Sequence, residues 1–265
     1  MDPVIPDRLR WGALAWLLTL QFFVVETVVQ FRGEGHSRAD DVISDLGVTT
    51  WPGHQAMNAS FVVQAALVLG GAVLLLPALR GAAGRVAAYL LGVAAIGTLL
   101  VGAFPSDRSD TWHVVGAVLY LVGSAAGLIA LAYALRPRSE ALGTALVLLG
   151  LVGAAATIFF LAEVDVLARG ATERAATYVL PIGLAMAGAA LGWAKGADPA
   201  GGADAPTRRE ERARARAAAA ERARERDEAL EAAARRSGNR TSSTQTEPAD
   251  DFDAEDPWAS TRRTD

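Results

Sequence analysis

Six long apolar stretches constrain the fold of this 265-residue chain more than any other feature. Each has the roughly 20 residues that a helix needs to cross the hydrocarbon core of a bilayer. A backbone inside hydrocarbon has no water to bond with, so each stretch must be helical. The sequence therefore predicts an all-α membrane protein, a six-transmembrane-helix bundle. The predicted spans are Trp11–Phe31, Gln55–Leu79, Arg85–Phe104, Thr111–Leu135, Leu142–Leu161 and Arg174–Trp193.

The composition changes sharply at the end of the sixth stretch. Ala, Val, Leu and Gly dominate up to about Trp193, and Arg, Glu, Ala and Asp dominate beyond it. We therefore expect a membrane domain over residues 1–195 and a cytoplasmic tail after it. The chain has no cysteine, which excludes both a disulfide framework and a thiolate metal site.

The tail divides into three predicted segments. Residues 196–206 are rich in Gly, Ala and Asp and are expected to form a linker. Residues 207–236 consist mainly of Ala, Arg and Glu, which favour a charged, solvated helix. An alternative role for this helix is electrostatic attachment to anionic lipid of the inner leaflet, although its interleaved glutamates weaken that attraction. Residues 237–265 are polar and acidic and are expected to be disordered.

The basic residues predict the orientation in the cell membrane. Arginines lie at the amino terminus, in the second and fourth connections and in the tail, whereas acids outnumber arginines in the other connections. Cytoplasmic loops of membrane proteins carry an excess of basic residues. We therefore expect both termini in the cytoplasm. The first stretch is too long for the apolar region of a signal peptide, so we interpret it as the first span.

The first outer connection, about Arg32–His54, is much longer than the others. Long loops in compact domains are usually functional or disordered. This one contains Ile43, Leu46 and Trp51 and is too apolar for plain disorder. We expect it to fold back over the mouth of the bundle.

Few polar residues lie within the predicted spans. Glu26 lies one turn before Gln30 on the same face of the first span. An ionisable group inside a membrane domain is a functional candidate. The other interpretation is that Glu26 lies near the outer end of its span and pairs with an outer arginine such as Arg38 or Arg174.

The fourth span carries one face of polar and small residues. Spacings of three and four residues place His113, Gly116, Tyr120, Ser124 and Gly127 on that face. Small residues on such a face favour close packing between helices. His113 and Tyr120 lie in its outer half, where they could line a cavity.

The three histidines all fall on the predicted outer side. His36, His54 and His113 lie there with Asp45 and Asp107, a set of residue types that suits zinc. However, no helix face carries two ligands in a pattern such as H-x-x-x-H, so we predict no metal and no cofactor. The sequence also contains no glycine-rich phosphate loop, no G-x-S-x-G motif and no nucleotide-binding fingerprint. We expect no nucleic-acid partner.

Ser-Asp pairs recur just outside the bilayer. They are Ser44–Asp45, Ser106–Asp107 and Ser109–Asp110. Both residue types cap helices, so the pairs could simply start re-entering spans. Helix amino termini that face outward also favour anions, so a shared polar site remains possible.

Five short motifs follow one another in a fixed order between the spans. They are I-S-D-L-G at Ile43–Gly47, Asn58, G-x-F-P-S-D at Gly102–Asp107, His113, and G-x-x-E-R at Gly170–Arg174. Their order and placement resemble a family of bacterial and archaeal multi-pass membrane proteins called domain of unknown function 998. The resemblance covers about residues 10–195 and leaves out the charged tail. It implies a helical integral membrane protein and, as the family's name states, no assigned activity.

The polar residues of the outer side define one candidate site. Our main hypothesis is a non-enzymatic pocket that binds a small polar ligand or a lipid head group, in a sensor, an accessory subunit or part of a transporter. Within it, Asp107 could pair with Arg174, since a buried charge needs compensation. The lipid bilayer is the one partner that the sequence implies directly. The candidate ligand-binding residues are Asp45, Asn58, Asp107, His113, Glu173 and Arg174.

Two alternatives remain open. The first is a membrane-embedded, possibly metal-dependent hydrolase of lipid or envelope substrates, with Asp45 or Asp107 as the base and His113 as a base or metal ligand. The second is a purely structural protein, in which the outer polar residues only cap helices and form ion pairs. A complete transporter is less favoured, because no span is broken by paired Gly or Pro interruptions.

Overall fold

The structure, a computed structural model, describes residues 4–79, 81–164, 166–192 and 208–241. Within these ranges every regular element is helical, which confirms the all-α fold class. Two short 3-10 helices, Ile43–Gly47 and Leu76–Ala78, accompany the α-helices. The α-helices are α1 (Val4–Leu18), α2 (Gln21–Gln30), α3 (His54–Leu75), α4 (Gly81–Ala103), α5 (Asp110–Leu135), α6 (Glu140–Leu161), α7 (Arg169–Gly192) and α8 (Arg208–Thr241).

Six helical segments in the described part of the chain are long and apolar enough to cross a bilayer, which confirms the predicted spans. Their mean hydropathy lies between 1.6 and 2.4. Large side chains such as Val24, Leu148 and Ile158 remain exposed on their outer surface, where lipid would cover them. The segments are Asp7–Gln30, His54–Ala78, Gly81–Ala103, Asp110–Leu135, Glu140–Leu161 and Arg169–Gly192.

The spans form one bundle in which successive helices are neighbours. The helices α3, α4, α5, α6 and α7 pack in chain order, and α1 packs against both α7 and α3. Helix α5 contacts α4, α6 and α7. Glycines allow some of these close approaches: a Cβ atom on Gly116 of α5 would lie 2.7 Å from the carbonyl oxygen of Gly97 on α4. The small residues of α5 therefore serve close packing, as the sequence predicts.

The first span is interrupted between α1 and α2. The Thr19 hydroxyl lies 2.6 Å from the carbonyl oxygen of Trp16 and 3.3 Å from that of Pro181 on α7. Pro181 has no N–H, so the carbonyl of Thr177 lacks its usual helical donor. The Tyr120 hydroxyl donates to that carbonyl at 3.0 Å instead. The irregular backbone is thus satisfied by side chains, in the first span by its own Thr19 and in the last span by Tyr120 of another span, as hydrocarbon requires.

The long connection 31–53 packs back onto the bundle, as its apolar residues predict. Ile43 and Leu46 are 1% and 0% exposed. The indole nitrogen of Trp51 donates to the carbonyl of Val29 at 3.1 Å. We call the end of the bundle formed by connections 31–53, 104–109 and 162–168 the loop end.

Helix α8 belongs to the second of the two compact units into which the chain divides. It ends at Thr241, whereas the sequence predicts a charged helix over residues 207–236. Its residues between 213 and 235 are almost all exposed. The expected linker, 196–206, and the residues after 241 lie outside the described ranges.

Candidate functional site

All six candidate residues lie at the loop end or in the parts of spans next to it, but five of them separate into three groups and Asp45 belongs to none. Two of them fasten the long connection, one belongs to a buried ion-pair cluster, and two line a cavity. Asp45 lies in the 3-10 helix Ile43–Gly47, partly exposed, where its charge acts on His36. The single site expected from the sequence is therefore not one contiguous site.

Asn58 and Asp107 fasten the long connection. The Asn58 amide donates to the carbonyl of Gly47 at 2.8 Å. The Asp107 carboxylate accepts from the Thr49 amide at 2.8 Å and from the Thr49 hydroxyl. These two hydrogen bonds, the hydroxyl's first, lower the pKa of Asp107. The connection is thereby fixed to α3 and to the segment before α5.

Capping does not explain the Ser-Asp pair at the start of α5. Ser109 is the residue before that helix, but its side chain makes no capping hydrogen bond. A serine cap occurs instead at α6, where the Ser139 hydroxyl accepts from the Leu142 amide at 3.3 Å.

Arg174 pairs with Glu26. Its Nε donates to Glu26 Oε1 at 2.9 Å, and the two residues are 5% and 0% exposed. The Tyr178 hydroxyl donates to Glu26 Oε2 at 2.7 Å, and Arg38 approaches Oε1 to 3.6 Å. This confirms that Glu26 pairs with Arg174 and Arg38. The suggested pairing of Asp107 with Arg174 is wrong, because the carboxylate of Glu26 reaches Arg174 from α2.

The remaining donors of Arg174 hold the long connection. Its Nη1 donates to the carbonyls of Arg38 and Asp41, each at 2.7 Å. Its Nη2 lies 3.2 Å from Nε2 of His36. A guanidinium only donates, so that His36 nitrogen must be an unprotonated acceptor. Burial, and then the charge of Arg174, lower the pKa of His36.

We call this group the Glu26 cluster. Its polar atoms bind one another and the backbone of the long connection. The cluster therefore links the first span, the long connection and the last span. Its members are Glu26, His36, Arg38, Arg174 and Tyr178.

A cavity of about 40 Å³ lies between the 3-10 helix Ile43–Gly47 and helices α3 to α7. This volume has room for about three water-sized groups. His113 and Glu173 line it, and so does Tyr120, as the polar face of α5 predicts. The other lining residues are Ile43, Ser44, Phe61, Thr98, Val101, Ala117, Leu121, Phe160 and Thr177.

Among the described residues, four hydroxyls line the cavity, and its two other polar side chains, Glu173 and His113, can act as acceptors. Oε2 of Glu173 accepts from the Ile43 amide. Nδ1 of His113 lies 3.0 Å from the carbonyl oxygen of Phe104, and since a carbonyl only accepts, Nδ1 carries the proton. In the neutral ring Nε2 is then an acceptor. Among the residues that the structure describes, neither His113 Nε2 nor Glu173 Oε1 has a hydrogen-bond partner.

The structure does not bring the three histidines together. His36 contacts Arg174, His113 contacts the carbonyl of Phe104, and Nδ1 of His54 lies 2.9 Å from the carbonyl oxygen of Trp51. The described ranges contain no group of three or more His, Cys, Asp or Glu residues that could hold a metal ion.

Sequence reasoning missed part of the cavity. Thr98 and Thr177 are buried, at 2% and 6% exposure, and line it from α4 and α7. A threonine inside an apolar span gives no signal of its own, because its hydroxyl commonly bonds to its own helix. Ser44 had a signal, since it belongs to a Ser-Asp pair next to a predicted span.

The sequence profile of a family described as protein of unknown function (DUF998) matches residues 17–196. The protein belongs to this family. The match covers more than half of the chain and agrees with the resemblance that the loop-end motifs carry. The charged tail after residue 196 lies outside it, and the family description assigns no activity. No match was found among curated proteins or solved structures.

Proposed function

We propose that this DUF998 protein is a six-span protein of the cell membrane that binds a small polar ligand or a lipid head group in its loop-end cavity. Both termini lie in the cytoplasm, and the loop end faces outward. The observation that carries the proposal is the pair of unpartnered acceptors, Glu173 Oε1 and His113 Nε2, on residues that line one cavity.

The cavity supports this proposal better than the Glu26 cluster does. In the cluster, both oxygens of Glu26 and all three nitrogens of Arg174 have partners within the protein. A ligand there would have to break buried hydrogen bonds. In the cavity, Glu173 Oε1 and His113 Nε2 can accept hydrogen bonds from an occupant without breaking a bond within the protein.

The test is retention of a small molecule by the purified full chain. Native mass spectrometry in a mild detergent would compare the parent protein with a Glu173→Gln, His113→Asn double variant. Both replacements keep structural bonds: the introduced glutamine can still accept from the Ile43 amide, and the introduced asparagine can still donate to the carbonyl of Phe104. Asp110→Asn, at an exposed position next to the cavity-lining helix face, is the matched control.

We expect the parent and the control to retain a bound molecule that the double variant loses. If the parent carries none, or the double variant retains it, the cavity is not the binding site. A lower stability of the double variant with no molecule bound to any form would favour the purely structural alternative.

The orientation has a separate test, because the natural chain has no cysteine. Glu34→Cys introduces a thiol at the loop end, and Ala82→Cys introduces one at the other end of the bundle; both positions are accessible to solvent. A membrane-impermeant maleimide should label the first variant in intact cells and the second only after permeabilisation. The reverse labelling would overturn the proposed orientation.

A further inference from the structure

We infer that the cavity takes a primary ammonium group, either of a free small amine or of a lipid head group. The inference rests on the proposed function and names the chemical class of its ligand. It is carried by three properties of the cavity: the charge of its wall, its hydrogen-bonding groups and its size.

The charge of the wall favours a cation. Glu173 is the one acidic residue among the described residues lining the cavity, and no lysine or arginine is among them. The charges that act on Glu173 come from one base, Arg174, and two acids, Asp45 and Glu26. Arg174 is itself paired with Glu26 at 2.9 Å. A phosphate or carboxylate would therefore meet a carboxylate with no cationic side chain beside it in the described cavity wall, whereas an ammonium group would be attracted.

Two of the hydrogen-bonding groups that line the cavity call for a donor. Oε1 of Glu173 and Nε2 of His113 accept, and the proton of the Tyr120 hydroxyl is already given to the carbonyl of Thr177. An ammonium group carries three N–H donors and no acceptor, so it complements this set. The hydroxyl of Ser44 can accept the third bond. A quaternary ammonium group has no N–H and leaves all of these acceptors unsatisfied.

The size of the cavity limits what enters. A volume of about 40 Å³ holds about three water-sized groups, which fits the aminomethyl end of a molecule. The remainder of the ligand must therefore lie outside the cavity.

The test is the thermal stability of the purified full chain in detergent, titrated with ethanolamine, choline, sodium phosphate or sodium chloride at equal ionic strength. We expect ethanolamine to raise the melting temperature saturably and choline and phosphate to leave it unchanged. Glu173→Gln should weaken the apparent ethanolamine affinity about tenfold or more, because a hydrogen bond to a charged group is lost. Asp110→Asn should bind ethanolamine as the parent does.

Nanodiscs distinguish the two sources of the amine. Stabilisation by ethanolamine without lipid identifies a free amine, and stabilisation only in phosphatidylethanolamine discs, compared with phosphatidylcholine discs, identifies a lipid head group; both support the inference. Equal stabilisation by sodium ions would overturn it in favour of an inorganic cation. Retention of a phosphate or neutral ligand that the double variant loses would overturn it and leave the proposed function intact.

Discussion

The sharpest prediction concerns Arg174, whose loss would leave Glu26 buried with an uncompensated charge. Breaking a buried ion pair by removing one partner costs about 3–5 kcal/mol. Arg174→Met removes the Nε bond at 2.9 Å and the two bonds at 2.7 Å to the carbonyls of Arg38 and Asp41. Each of those backbone bonds contributes about 1 kcal/mol.

Part of this loss is recovered, because Glu26 keeps its bond from Tyr178 and Arg38 can move closer. The Arg38 side chain is 44% exposed and 3.6 Å from Glu26 Oε1, so it has room to do so. We therefore expect Arg174→Met to lower the free energy of unfolding by about 4 kcal/mol, the middle of that range. For a bundle of this size that is a fall in melting temperature of roughly 8–16 °C.

The assay is thermal unfolding in detergent, arranged as a double-mutant cycle with Glu26→Leu. The double variant buries no unpaired charge, so it should lose less stability than the two single variants summed, by about 2 kcal/mol. Arg32→Met, at an exposed position of the same connection, should change stability by less than about 0.5 kcal/mol. Additive single effects, or a loss below about 1 kcal/mol for Arg174→Met, would refute the reasoning.

Three further predictions follow from other contacts. Because the pKa of His36 is lowered in the folded protein, its contribution to stability is complete above pH 6.5 and is lost as the pH falls through the folded pKa. Melting temperatures from pH 8 to 5 should show this loss, which His36→Gln should abolish and His54→Gln should leave in place. Gly47→Ala should raise amide hydrogen exchange in the long connection, since a Cβ atom there would lie 2.4 Å from Oδ1 of Asn58. Ala219→Gly in a peptide of residues 207–241 should destabilise the helix by about 1 kcal/mol and so lower its helix content in circular dichroism. Unchanged ellipticity would contradict the view that intrinsic helix propensity alone stabilises this helix.

The spans were predictable because length and apolarity decide whether a helix can cross a bilayer. The start of the last span was not: the sequence places it at Arg174, whereas α7 begins at Arg169. A hydropathy pattern counts Arg174 as a charge outside the membrane, because it cannot show that Glu26 neutralises it. The break at Thr19 was also missed, since neither glycine nor proline marks it and its second contact, Pro181, is 162 residues away.

The candidate site was predicted as a region and not as a set of contacts. All six residues do lie towards the loop end, because the ends of spans can be read from the sequence. Which side chains meet depends on the rotation of each helix about its axis. His113 and Glu173 face the cavity, whereas Arg174, the next residue along α7, turns towards Glu26. Such rotations are set by packing between helices and cannot be read from a single sequence.

The ion pair between Glu26 and Arg174 also bears on how the chain is made. Its partners are 148 residues apart and lie in the first and the last spans. During synthesis, Glu26 enters the membrane long before the ribosome reaches Arg174. Until then the carboxyl group of Glu26 lacks its 2.9 Å partner, and Arg38, which lies 3.6 Å away in the complete bundle, is the arginine available to it. The closer pair, with Arg174, can form only once the sixth span has been made, so its formation requires a complete bundle.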